Sequence, residues 1–143
     1  MRTTTDKLQR VLNAAARIVT GTREFDRGLT QILHNELHWL NVPQRVTFKR
    51  CTTVYKCLHR LAPKYLADLC APVAQVAGRR QLSRGLLDFP RFNMSNYGRR
   101  AFSFAGPHTW NSLPDQLRTS ASLPTFKRSL ETFLFEQITH LAH

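Results

Sequence analysis

Asn41-Val42-Pro43-Gln44-Arg45-Val46-Thr47-Phe48-Lys49-Arg50-Cys51-Thr52-Thr53-Val54-Tyr55-Lys56-Cys57-Leu58-His59-Arg60-Leu61-Ala62-Pro63 is the stretch on which the fold turns. Asn41 suits a helix cap, and Pro43 fits a first turn because its missing N–H has no helical acceptor there. At 100° per residue Phe48, Cys51, Val54, Tyr55, Leu58 and Leu61 share one broad arc, while Arg45, Lys49, Lys56 and Arg60 cluster on the opposite side. The pattern predicts an amphipathic helix from Asn41 to about Leu61, broken at Pro63.

Helical signals flank this segment. Leu8, Val11, Leu12, Ala15, Ile18 and Val19 recur at helical spacing between Asp6, a candidate cap, and Gly21, a candidate left-handed stop. Thr30 to Leu37 reads as a second, short helix, and Lys64 to Leu69 as a turn or two ended by Pro72. Beyond Ser122 and Pro124, Leu123, Phe126, Leu130, Phe133 and Leu134 form the apolar face of a final helix.

The middle of the chain is different. Val73 to Gly85 is rich in small residues and carries Arg79-Arg80, which reads as an exposed basic loop. Leu86 to Phe92 suits a short extended piece with Pro90 at an edge, and Asn96-Tyr97-Gly98 a turn. Residues 101–111 fit strand or helix equally. The expected fold is mainly α: a small helical bundle, an irregular short-stranded segment and a C-terminal amphipathic helix. The expected divisions are 1–72, 73–100 and 101–143.

Composition narrows the function classes. The 143 residues carry 21 Lys and Arg against 9 Asp and Glu, a net charge of +12. The excess is uneven: nine cations to four acids in residues 1–50, nine to two in 51–100, and three to three in 101–143. A chain this basic favours polyanions. Its apolar runs are too short for a membrane span, and its first residues lack the apolar core of a secretory signal, so a cytoplasmic or nuclear setting is expected, with no membrane partner. Cys51, Cys57 and Cys70 then read as reduced thiols.

No catalytic constellation emerges. His34 and His38 stand four residues apart, but the order is His-x-Glu-x-His, and no third metal ligand is evident. No nucleophile elbow, phosphate-binding glycine loop or carboxylate pair is present. We expect neither enzyme activity, cofactor nor metal. The basic helix face (Arg45, Lys49, Lys56, Arg60) is a candidate for tracking phosphates, as is the Arg10/Arg17 side of the first helix. Arg79, Arg80, Arg84, Arg99 and Arg100 add a second basic cluster with Arg91. The competing reading is a solvated helix face whose charge only solubilises. Trp39, Trp110, Tyr97 and Phe102 are either base-stacking platforms or core anchors, and Trp39, Trp110 and Leu113 fit the anchor role.

Several motifs recur together: Leu8-Gln9-Arg10-Val11 with Asn13-Ala14-Ala15-Ala16-Arg17-Ile18-Val19-Thr20-Gly21, Glu36-Leu37-His38-Trp39-Leu40, Val54-Tyr55-Lys56-Cys57-Leu58-His59 with Leu61-Ala62-Pro63, Tyr97-Gly98, and Gly106-Pro107 with Trp110-Asn111-Ser112-Leu113-Pro114. Ser122-Leu123 with Phe126-Lys127, Leu130 and Leu134-Phe135 closes the series. In this order, over roughly residues 6–136, they resemble the C-terminal thumb and post-thumb region of the reverse transcriptase of jockey-like non-LTR retrotransposons. The resemblance implies a thumb-like helical piece beside a template–primer duplex, with non-specific RNA or RNA–DNA partners and a missing polymerase body. The family's Tyr-x-Asp-Asp catalytic motif has no counterpart here, so no catalytic residue carries over. The alternative is a protein-interaction or structural helical module. Trp110 and Leu113 are expected to act as a clasp for the C-terminal helix.

Overall fold

The computed structural model of the chain describes residues 3–72, 85–88 and 101–141. Those residues form a mainly helical protein with one tiny sheet, as the sequence predicts. The helices are α1 (Thr4–Thr20), α2 (Leu29–Gln31, continuing as a π-helical turn over Ile32–Glu36), α3 (Val42–Leu58), α4 (Lys64–Ala67), α5 (Phe102–Asn111), α6 (Asp115–Arg118) and α7 (Leu123–Leu141). The strands β1 (Ala71–Pro72) and β2 (Leu87–Asp88) pair antiparallel, with Ala71 opposite Asp88 and Pro72 opposite Leu87. Of residues 101–111, ambiguous in sequence, Phe102–Asn111 are helical and Ala101 is the extended residue before the helix.

Packing groups the chain into two compact units, residues 1–46 with 133–143, and residues 47–132. The composition-based division at 72 and 100 does not address this grouping.

In the first unit, α1 begins one turn earlier than its apolar pattern. Thr3 is the cap: its side chain accepts from Asp6 N–H, and the Asp6 carboxylate accepts from Thr3 N–H. Asp6 therefore closes a capping box instead of serving as the cap. Gly21 ends the helix at φ 69°, the left-handed stop the sequence predicts.

The face α1 turns inward is not its apolar stripe. Ala16 is fully buried, whereas Leu8, Val11, Ile18 and Val19 are 52%, 66%, 83% and 63% exposed. Gln9 supplies the physical reason. Its Oε1 accepts from Val42 N–H at 2.8 Å, satisfying a donor at the open start of α3, and its Nε2 donates to Asn13 Oδ1 at 3.0 Å. Gln9 lies about 120° around the helix from the centre of the apolar stripe, so holding it inward turns that stripe outward.

The second unit is built on three aromatic rings. Tyr55 of α3 stacks on Phe126 of α7 with centroids 4.6 Å apart. Trp110 of α5 lies 5.6 Å from Phe126 and 6.5 Å from Tyr55. All three are essentially inaccessible, as are Cys51, Val54, Leu87 and Leu130. Tyr55 Oη donates to the Ser120 carbonyl at 3.0 Å, which satisfies its one polar group within this core.

The Gly106–Pro114 stretch shapes that core. Gly106 is buried, and a Cβ there would fall 2.9 Å from the Phe102 ring. Trp110 Nε1 donates to the Gly85 carbonyl at 2.9 Å. Asn111 accepts from Leu87 N–H and donates to the Leu87 carbonyl, each at 2.8 Å, as a neighbouring strand would. Leu113 and Leu117 are buried as well. Trp110 thus meets Phe126 of α7, while Trp110 and Asn111 hold the segment that carries β2.

Helix α3 ends sooner than its pattern. Its last helical residue is Leu58, and Arg60 takes the left-handed conformation at φ 58°. Leu61 N–H then returns to the Lys56 carbonyl at 2.8 Å, a six-residue closure that stops the helix before Pro63 is reached. Among the described residues, no helix is long and apolar enough to cross a membrane.

Candidate functional site

The cations singled out in the sequence fall into distinct environments. Arg10 is exposed on α1. Arg17, half-buried, keeps its Nε away from solvent with no hydrogen-bond partner. Arg45 folds back on its own unit: Nε donates to the Leu40 carbonyl at 2.9 Å, and the guanidinium lies 5.8 Å from the centre of the Trp39 ring. That cation–π contact, worth about 0.5–1 kcal/mol at an open site, gives Arg45 a structural task.

In the second unit Lys49 is exposed and Lys56 half-buried, both on α3. Arg60 lies beyond the helix end, so the helical periodicity that grouped it with Arg45, Lys49 and Lys56 no longer applies. Three cations of the predicted face remain on α3. Arg79, Arg80, Arg84, Arg99 and Arg100, together with Arg91 and Tyr97, lie outside the described residues.

Of the predicted anchors, Trp110 and Leu113 are 1% and 4% exposed. Trp39 is only half-buried and carries Arg45 over its face. Phe102 is half-buried against Gly106.

Sequence reasoning missed the segment around His34. A regular helix over Thr30–Leu37 would align His34 and His38. The chain instead widens into a π-helical turn, with Leu37 N–H bonded to the Ile32 carbonyl at 3.1 Å. Trp39 N–H then reaches the Leu33 carbonyl at 2.8 Å, and His38 takes φ 51°. A left-handed non-glycine residue costs about 1–2 kcal/mol, and such outliers gather at functional sites, as π-turns do.

His34 Nδ1 lies 2.9 Å from the Trp39 carbonyl, and a carbonyl only accepts, so Nδ1 carries the hydrogen. His34 Nε2 is buried with no hydrogen-bond partner. His34, His38, Gln31 and Asn35 wall one side of a cavity of about 570 Å³ whose apolar wall is Phe135 and Ile138. The only sequence clue was the pair of histidines, because the π-turn that arranges them has no periodic signature.

The three thiols sit in the second unit and are buried. Burial pushes Cys51 from its ordinary value near 9 up to about 12, with Arg50 opposing weakly. Burial, reinforced by the adjacent Cys57 thiol, pushes Cys70 up to about 12, and burial also raises Cys57. None has the depressed pKa of an activated nucleophile. Among the described residues, no group of three or more His, Cys, Asp or Glu side chains converges as a metal site.

Comparison with protein-family models, with curated proteins and with solved structures returns no match for this chain.

Proposed function

We propose that the chain is a non-catalytic piece of a non-LTR retrotransposon reverse transcriptase that keeps a backbone-directed affinity for RNA or RNA–DNA duplex. The observation that carries this reading is the ordered series of motifs from Leu8 to Phe135, in a chain of net charge +12. Exposed Arg10, Lys49 and Arg60 and half-buried Lys56 supply cations of the kind that neutralise phosphates. Arg45, held by Leu40 and Trp39, contributes at most a prepositioned charge.

The test is binding of a labelled RNA–DNA duplex at two salt concentrations, with the chain and with a Lys49→Gln, Lys56→Gln, Arg60→Gln variant. Neutralised phosphates predict affinity falling steeply with salt and a shallower slope in the variant. The slope should ease by roughly one log unit per log unit of salt for each phosphate no longer neutralised. Weak, salt-insensitive binding by the parent chain would remove the reading.

A second reading has one specific observation in its favour. The outward apolar stripe of α1 suits a protein-interaction module, since exposed contiguous apolar surface marks contact sites. Salt-independent association with a protein partner, lost on placing lysine at Ile18, would favour it.

A further inference from the structure

We infer that the outward stripe of α1 is the contact through which two copies of this chain pair, antiparallel, about a two-fold axis at the level of Asn13. This rests on the protein-interaction reading of the stripe and names its partner.

The stripe is a helix seam without a cover. Leu8, Val11, Ile18 and Val19 are 52%, 66%, 83% and 63% exposed, and Leu12 and Ala15 beside them are half-buried. Leu8 and Ala15 stand seven residues apart, as do Val11 and Ile18, and Leu12 and Val19, the spacing by which one helix packs along another. Together they fill an arc of about 120° over about 16 Å of helix. Ala16 and Gln9 face inward, so folding of one chain leaves this arc open.

Charge selects among occupants. Arg10 and Arg17 lie about 150° around the helix from the centre of the stripe, away from anything seated on it. Lys7 alone borders the arc, and Asp6, the one acid of α1, is engaged with Thr3 in the capping box. An anionic lipid surface or an acidic peptide would find little charge beside the apolar contact, whereas a second aliphatic stripe requires none.

The order of side-chain sizes selects the direction. Along the seam come Leu8, then Val11 and Leu12, then the small Ala14 and Ala15, then Ile18 and Val19. In an antiparallel pair centred near Asn13, Leu8 meets the partner's Ile18. Val11 and Leu12 enter the space over the partner's Ala15 and the partner's Ala14, and the exchange is reciprocal, as a two-fold contact requires. A parallel pair would set alanine against alanine and leave that space empty. It would also bring the two lysines at position 7 to one level. The antiparallel pair sets them about 18 Å apart along the axis, each beside the carbonyl end of the other helix, where a cation is favoured.

The pair is weak. Six seam residues a side compare with roughly 20–30 in a standard interface, which suits a dissociation constant of about 0.1 mM. At the low micromolar concentrations of an unfolding measurement the copies are separate and the stripe is open.

The full chain, freed of nucleic acid, is followed by sedimentation equilibrium from low micromolar to near-millimolar concentration, at low and high salt. The expected result is a monomer–dimer equilibrium that does not weaken as salt rises, because screening eases the repulsion between two chains of charge +12. Ile18→Lys and Val11→Lys, each at an exposed position, should weaken it at least tenfold while circular dichroism stays that of the parent. Direction is read with single cysteines, the native thiols being buried. Ala14→Cys, near the axis, should cross-link between copies through a short bismaleimide, and Lys7→Cys should not. A monomer at every concentration overturns the inference, as does a dimer that both lysine variants leave unchanged, or cross-linking at Lys7→Cys instead of Ala14→Cys. Binding of a persistent monomer to phosphatidylcholine–phosphatidylserine vesicles, lost in Ile18→Lys, would assign the stripe to a lipid surface and overturn it too. A monomer that still takes up a different protein through Ile18 sinks self-pairing and leaves the broader interaction reading standing.

Discussion

Trp110 and Gly85, 25 positions apart in sequence, are joined by a 2.9 Å hydrogen bond from the indole Nε1 to the Gly85 carbonyl. The bond ties the helix that carries the Trp motif to the segment leading into β2. Trp110→Phe keeps most of the ring but leaves that carbonyl without its donor. The expected cost is about 1–3 kcal/mol, and Trp110→Ala should cost about 3–5 kcal/mol. Urea unfolding followed by far-ultraviolet circular dichroism measures both, and a loss under 0.5 kcal/mol for the alanine variant contradicts the placement.

Asn111 holds Leu87 through both its N–H and its carbonyl, a two-bond grip that no apolar side chain can replace. Asn111→Leu should cost about 1–3 kcal/mol, as expected when buried backbone groups lose their partners. Amide exchange at Leu87 should quicken selectively, while the Phe126 amide in α7 keeps its protection. Equal acceleration at both positions would mean global loosening and would sink the idea of a local grip.

Arg60 terminates α3 in a left-handed conformation that glycine adopts freely. Arg60→Gly should therefore stabilise the protein by roughly 1 kcal/mol. The same change removes one exposed cation, so it separates fold from charge: stability should rise while duplex affinity falls.

Ile18 and Val11 stand on the outward face of α1, 83% and 66% exposed. Ile18→Lys and Val11→Lys should change stability by no more than about 0.5 kcal/mol, as at other open surface sites. Sedimentation and urea midpoints read this together. A loss above 2 kcal/mol would show that the stripe is covered in solution.

The buried thiols set an alkaline limit on stability. Cys51 and Cys70 stay protonated in the folded chain up to about pH 12, whereas unfolded thiols ionise near 9. Between those values unfolding releases protons, so stability is full below about pH 9 and falls as pH rises toward 12. Cys51→Ala should flatten the decline measured by thermal unfolding from pH 8 to 11. At pH 8 the native thiols should react with a disulfide reagent far more slowly than in denaturant.

Much of this architecture is legible along the chain. The C-terminal end of α1 follows from Gly21 and the buried face of α7 from Phe126, Leu130 and Leu134, because a left-handed glycine stop and 3.6-residue periodicity are local physics, whereas the start of α1 is set by Thr3 and not by Asp6, the cap the sequence suggests. The cations of α3 were legible as a face, but whether each is free was not. Arg45 is drawn back by a carbonyl and a ring that only folding brings near it, and Arg60 is dropped by a helix that ends three residues early.

The sequence by itself determined that α1 is amphipathic and that the chain is strongly basic, while folding alone separates Trp110, 1% exposed, from the half-buried Trp39. Only the tertiary structure decided which side of α1 faces inward. A single amide, Gln9, reaches from α1 to the Val42 N–H at the open start of α3, a pairing that only the folded chain brings together. The π-turn at His34 likewise escapes sequence reading, since it depends on where the Leu33 and Trp39 backbones must meet, and that distance is fixed by packing.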